Sequence, residues 1–218
     1  MNNEDLKSKV SGKLIVLDGP DGCGKTTQAK LLTKWLEGRG VPTSSFRDPG
    51  DTTIGEQIRD ILLSPEHLAM TTRAEVLLYM AARAQLWRER VAPALGRREC
   101  VVLDRWISST CAYQGRAGGF GMSNVIKVAT DSLARVWADL TIVLDVDLET
   151  CACRMPSKRD RIEAKPAQYH RNVREGFLQL ADEHDGFVVV DATGGIEAVH
   201  ERVVEEVAAF FSSGDFSD

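Results

Sequence analysis

At 218 residues, 43% hydrophobic and 27% charged, the chain has the length of one well-buried domain and the composition of a soluble globular protein. Its net charge of −5 excludes a general nucleic-acid-binding surface, so any phosphate it holds must meet a local cluster of Arg and Lys. Its apolar runs are far too short to cross a bilayer, and no signal peptide is recognisable. Five scattered cysteines, an odd number, point to a reducing, cytoplasmic setting without a disulfide framework.

Taken in chain order, the polar opening Met1-Asn2-Asn3-Glu4 predicts a frayed end. Leu14–Leu17 reads as a first strand, followed by a helix whose apolar face is Leu31, Leu32, Trp35 and Leu36. Thr43–Phe46 is a second strand. Thr53-x-x-Glu56 and Thr72-x-x-Glu75 are capping boxes, each opening a helix, and the second helix continues through Tyr79 and Arg83 to about Pro93. Cys100–Leu103 is a third strand, and Gly115 to Gly121, with four glycines in seven residues, is a loop. Leu140–Val146 and Phe187–Val190 complete the strands. Between them, Cys151 and Cys153 lie two apart on a helix, do not face each other and have no second cluster to form a zinc site. Met155 to Pro166 is short, polar and strongly basic, with few apolar anchors, and is expected to be mobile. Ile196, Val199, Val203, Val207 and Phe210 close the chain on an amphipathic helix. Continuous apolar strands alternating with amphipathic helices predict an α/β fold whose parallel sheet is buried on both faces.

The strongest chemical signal is Gly19-Pro20-Asp21-Gly22-Cys23-Gly24-Lys25-Thr26, which matches G-x-x-x-x-G-K-[ST] at every fixed position. The glycines let the backbone curl so that N–H groups converge on phosphate oxygens, and the following helix adds its N-terminal partial positive charge. Lys25 is placed to reach the β- and γ-phosphates of a nucleoside triphosphate and Thr26 to ligate Mg²⁺. The strand before the loop and the helix after it supply the required context. Asp104, leaving the third strand beside this loop, is either an Mg²⁺ partner or an ordinary helix cap, and the adjacent Arg105 favours the first.

A phosphate loop is shared by kinases, GTPase switches, ATPase motors and passive nucleotide binders. The chain has no N-K-x-D or L-S-G-G-Q sequence, and it carries arginines outside the loop at Arg47, Arg83, Arg105, Arg154, Arg159 and Arg161. A transferase that joins two phosphorylated molecules must neutralise both, which guanidinium groups do with fixed geometry. A nucleotide-binding regulatory module with weak turnover is the alternative of another class.

Four segments resemble the thymidylate kinase family over nearly the whole chain. They are the phosphate loop with its acid at Asp21, then Arg47-Asp-Pro-Gly-Asp-Thr, then Asp104-Arg-Trp-Ile-Ser-Ser-Thr-Cys-Ala-Tyr-Gln-Gly, and finally Arg159-Asp-Arg-Ile-Glu. The resemblance implies a P-loop kinase fold: a five-stranded parallel sheet flanked by helices, one domain over residues 1–218, with a lid at about 155–166. It implies transfer of the γ-phosphoryl group of ATP to dTMP with Mg²⁺, and a homodimer. Gly19 through Thr27 would hold ATP, with Arg154 on adenine and Thr193 beside it. Arg47 and Arg105 would grip the dTMP phosphate, and Asp21 would accept from the sugar 3′-hydroxyl. Tyr79 would stack on thymine, Arg83 would donate to a thymine carbonyl, and Ser109, Thr110 and Gln114 would lie near the base edge. Tyr113 would crowd the 2′ position. Some family members keep a basic residue inside the phosphate loop, where this chain has Gly22. The resemblance therefore places the catalytic arginine in the lid, at Arg159 or, as second choice, Arg161. Another nucleotide or deoxynucleoside kinase of this fold is the alternative within the class.

Overall fold

The computed structural model describes residues 2–155 and 159–213; Met1, residues 156–158 of the lid segment and residues 214–218 lie outside them. The elements in order are α1 (Asn3–Val10), β1 (Leu14–Asp18), α2 (Lys25–Glu37), β2 (Thr43–Arg47), α3 (Thr53–Leu63), α4 (Thr72–Leu86), α5 (Ala92–Gly96), β3 (Cys100–Asp104), α6 (Ile107–Thr110), α7 (Met122–Ser132), β4 (Leu140–Asp145), α8 (Leu148–Arg154), α9 (Ala167–Glu183), β5 (Phe187–Asp191) and α10 (Ile196–Ser213). The five strands form one parallel sheet in the order β2-β3-β1-β4-β5. Every crossover is helical, as parallel pairing requires.

Alternate residues of the central strands feed two cores. Ile15, Leu17, Cys100, Val102, Ile142 and Leu144 meet α2 and α10 on one face, whereas Leu14, Val16, Val101, Leu103 and Val143 meet the α4, α7 and α9 side. Burial on both faces holds for β1 and β3 and nearly all of β4, but the edge strands β2 and β5 are only partly covered. An edge strand has solvent on one flank, and Ser44 and Ser45 of β2 suit it.

Several expectations need correction. From Asn2 onward the opening segment is not frayed: Asn2 caps α1 by accepting from the Asp5 N–H at 2.8 Å, and Leu6 and Val10 are buried in the core beside α10. The helix caps fall one residue earlier than the boxes indicate, at Thr52 and Thr71, which accept from Gly55 and Ala74. Glu56 and Glu75 are engaged with arginines instead of completing a box. The helix from Thr72 does run on, through a π-helical turn at Trp87–Val91 into α5. A second π-helical turn covers Cys111–Ala117, so the glycine-rich stretch is open only from Gly118 onward. On α10 it is Phe211, not Phe210, that is fully buried with Val199, Val203 and Val207, and Ile196 is exposed. The lid segment has an anchor as well, because Ile162 joins the core.

Leu6→Ala therefore should cost about 2–5 kcal/mol, the transfer and cavity cost of a buried leucine. Urea unfolding measures it; a loss below about 0.5 kcal/mol, as at exposed surface sites, would show that α1 does not dock.

Candidate active site

The turn from β1 into α2 is built around three glycines. Gly19, Gly22 and Gly24 all have positive φ, at 137°, 83° and 103°. A Cβ at Gly19 would lie 2.5 Å from the Leu144 carbonyl oxygen, and one at Gly22 would collide with that of Cys151. Gly24 caps α2, so Lys25 and Thr26 open the helix and the loop curls over its N-terminus. Lys25 is buried and donates from Nζ to the Pro20 carbonyl at 2.7 Å, a bond within the loop that holds the ammonium over it. The Thr26 hydroxyl donates to Asp104 Oδ2 at 2.5 Å. β3 pairs directly with β1, which is why an acid at the end of β3 reaches the loop. A hydroxyl and a carboxylate are hard oxygen donors of the kind Mg²⁺ takes when phosphates supply the remaining ligands. Among the described residues no cluster of three or more His, Cys, Asp or Glu could hold a metal by itself.

Arg105 follows Asp104 with φ +76°, an uncommon backbone state for a non-glycine residue. Its guanidinium pairs with Asp21 and donates to the Ser109 hydroxyl at 3.0 Å. Asp18, fully buried at the end of β1, accepts from the Ser108 and Ser109 hydroxyls at 2.6 and 2.7 Å and lies 3.9 Å from Arg105. The Tyr113 hydroxyl donates to Asp21 Oδ2 at 2.8 Å. Burial pushes the Asp21 carboxyl up, but Arg105, Lys25 and the Tyr113 hydroxyl outweigh it and hold the carboxyl below its ordinary value.

A cavity of about 610 Å³ links the phosphate loop to this cluster and to a second pocket under α4. Arg47, Arg59 and Arg105 line it together. Arg47 Nη2 donates to Glu56 at 2.7 Å, while its buried Nε has no partner. Arg59 donates to the Pro49 carbonyl at 3.1 Å; burial and the charges of Arg47 and Arg105 lower its pKa. Three guanidinium groups crowded into one cavity form a site for an anion. Sequence reasoning missed Arg59. Its signal was the i,i+3 spacing from Glu56, which puts both on the face of α3 that meets Arg47.

Farther in, Arg83 is buried, donating from Nε to Asp48 Oδ2 at 2.6 Å and from Nη2 to the Trp106 carbonyl at 3.1 Å, with Thr110 Oγ1 at 3.3 Å. Asp48 Oδ1 is buried without a partner. Burial pushes the Asp48 carboxyl up despite Arg83. Tyr79, Ser109, Thr110, Tyr113 and Gln114 line the same region. At the other end Arg154 donates to the Ala192 and Gly194 carbonyls, both at 3.1 Å, which fixes its guanidinium across the β5–α10 turn.

Most residues expected from the sequence are thus brought together. Gly19, Pro20, Thr193, Arg159 and Arg161 do not line the cavity. Gly19 and Pro20 shape the loop from behind, and Gly194 and Gly195 take the place expected for Thr193. Arg159 is exposed. Arg161, expected to reach a phosphate, is buried away from the loop and pairs with Glu75 at 2.5 Å. Asp160, between the two arginines, accepts from the Ile162 and Glu163 N–H groups at 2.8 Å and caps the turn that turns Arg161 inward.

The Arg83–Asp48 pair yields a stability prediction. Asp48→Asn removes the charge facing a buried guanidinium and should cost about 3–5 kcal/mol. A change under about 1 kcal/mol in urea unfolding would mean that Trp106 and Thr110 alone hold Arg83.

Comparison with known proteins agrees with this geometry. The thymidylate kinase family model matches residues 17–203. Thymidylate kinases from Pelotomaculum thermopropionicum and Caldanaerobacter subterraneus subsp. tengcongensis are 41% and 39% identical over 213 and 203 residues; the matches cover 94% and 92% of this chain and 99% and 97% of those proteins. The crystal structure of thymidylate kinase from Ehrlichia chaffeensis superposes with a TM-score of 0.73 at 25% identity, covering 91% of this chain and 99% of that one. With the loop, the Asp104-Arg105 step and the guanidinium cluster in one cavity, the chain belongs to the thymidylate kinase family.

Proposed function

We propose that the cavity binds ATP and dTMP together and passes the γ-phosphoryl group of ATP to a phosphate oxygen of dTMP, giving ADP and dTDP. One observation carries this reading: a single cavity runs from the phosphate loop, past Arg47, Arg59 and Arg105, to the pocket of Tyr79, Arg83 and Gln114. Transfer breaks the bond from the γ-phosphorus to the bridging oxygen of ADP and forms one to the acceptor oxygen. Positioning and charge neutralisation supply most of the rate.

In this reading the loop N–H groups and Lys25 hold the ATP phosphates, and Arg154 supports the adenine. Thr26 and Asp104 would hold Mg²⁺, which would supply charge neutralisation to the transferring phosphates. Arg47, Arg59 and Arg105 hold the dTMP phosphate. Asp21, kept ionised by Arg105, has lone pairs left to accept from the sugar 3′-hydroxyl. The Tyr113 ring fills the space beside C2′. Arg159 is the lid cation left to approach the γ-phosphate.

The reading takes the chain as a single kinase domain that works as a homodimer in the cytoplasm. No helix among the described residues is long and apolar enough to cross a membrane, and all five cysteines are free thiols. Exposed Ile54 and Ile61 on α3, Leu68 beyond it and Leu77 on α4 offer an apolar face for a second copy. Leu77, 62% exposed, is the position to probe. Leu77→Glu should shift sedimentation from dimer toward monomer, and an unchanged sedimentation coefficient would remove α4 from that face.

ADP release measured with dTMP, dUMP, dCMP, dGMP and UMP tests the substrate; the fastest turnover is expected with dTMP, and equal rates across the set would reject the assignment. Lys25→Ala should lower kcat by about 10²–10³-fold, the usual effect of removing one electrostatic contact to the transition state. A variant keeping more than about a tenth of the wild-type kcat would take that role from Lys25.

A further inference from the structure

Arg161, Glu75 and Gln114 form a buried chain that the phosphate chemistry does not use. Arg161 lies in a turn of the lid segment, Glu75 in the first turn of α4, and Gln114 in the π-helical turn after α6. They are 3%, 5% and 1% exposed. Arg161 Nη1 donates to Glu75 Oε1 at 2.5 Å, its Nε to the Leu62 carbonyl at 2.9 Å, and its backbone N–H to the Leu63 carbonyl at 3.3 Å. The other oxygen of Glu75 accepts from Gln114 Nε2 at 3.0 Å. Of the three side chains, only Gln114 reaches the cavity.

The chemistry of this chain fixes a direction. An ionised carboxylate can only accept, so the NH₂ end of the Gln114 amide must face Glu75. Its carbonyl oxygen is then the end left for the cavity. A carbonyl there accepts from the N3–H of thymine or uracil. It repels cytosine, whose N3 is an acceptor. Arg161 pairs with the carboxylate and holds it in place, and its bonds to Leu62 and Leu63 pin the end of α3 to the same turn. We infer that Arg161 and Glu75 are positioning residues for base selection: through Glu75, the lid arginine sets the Gln114 amide so that the pocket accepts a pyrimidine imide and rejects cytosine. This inference rests on the reading that Gln114 meets the base. It gives Arg161 a signature opposite to that of a γ-phosphate contact, which strengthens during transfer and lowers kcat at unchanged dTMP affinity.

The test uses steady-state kinetics of the whole protein with Glu75→Gln, Arg161→Ala and Arg161→Lys, each checked by thermal melting. Glutamine at position 75 has the same shape but both donates and accepts, so it no longer dictates which end of Gln114 faces the base. Glu75→Gln and Arg161→Ala should each raise KM for dTMP about tenfold, the size of one buried hydrogen bond. They should also lower the dTMP-to-dCMP ratio of kcat/KM about tenfold, leaving KM for ATP within about twofold. Arg161→Lys keeps the charge and should recover part of both losses; it carries the same readouts where Arg161→Ala does not fold. A fall in kcat for the Arg161 variants, with KM for dTMP and the ratio unchanged, would overturn the inference in favour of a phosphate contact. Lower melting temperatures with both quantities unchanged would overturn it in favour of a purely structural link. A wild-type protein without dTMP-dependent turnover would fail earlier, at the reading of the pocket itself.

Discussion

The Arg105 guanidinium sits where three segments meet. It pairs with Asp21 of the phosphate loop, donates to Ser109 of α6, and lies 3.9 Å from Asp18 at the end of β1. A cation of this size can be kept in a cavity only if carboxylates offset its desolvation, and these carboxylates must in turn be held. The Ser108 and Ser109 hydroxyls hold Asp18, and the Tyr113 hydroxyl holds Asp21. Burial opposes the charge on Arg105, but Asp21, Tyr113 and Asp18 together raise its pKa well above the ordinary value. The strand order puts these groups together, since β3 lies directly beside β1 and both end at the same rim of the sheet. The phosphate loop, the acid at 104 and the part of the cavity lined by Tyr79, Arg83 and Gln114 are therefore arranged around one charge cluster.

α4 carries three functions on one length of helix. Val76 and Met80 enter the core, Tyr79 and Arg83 line the cavity, and Glu75 receives Arg161 of the lid segment. A helix places residues three and four apart on neighbouring positions, so positions 75, 79 and 83 form one stripe and 76 and 80 the next.

The sheet, its helices and the phosphate loop were legible in the sequence because each has a local cause: continuous apolar strands, amphipathic period and glycines at fixed spacing. What was missed depends on partners distant in sequence. The four opening residues look soluble alone, and only the packing of Leu6 against the α10 side makes α1 a helix of the core. The threonine–glutamate spacings resemble caps, yet Glu56 and Glu75 were taken by Arg47 and Arg161. Those pairings cross 9 and 86 positions. Arg159 and Arg161 are two residues apart and chemically identical, so sequence could not say which faces the core. The turn capped by Asp160 decides it.

The close approach of Gly22 to the Cys151 carbonyl bears on how such a site can change over evolutionary time. A basic residue in the phosphate loop and one in the lid are alternative ways of supplying the same charge. Here position 22 has φ +83°, and any side chain there would meet the backbone of α8. Moving the charge into the loop would thus need α8 to shift before the substitution could be tolerated. A single substitution at position 22 would therefore clash with α8 and be strained as well.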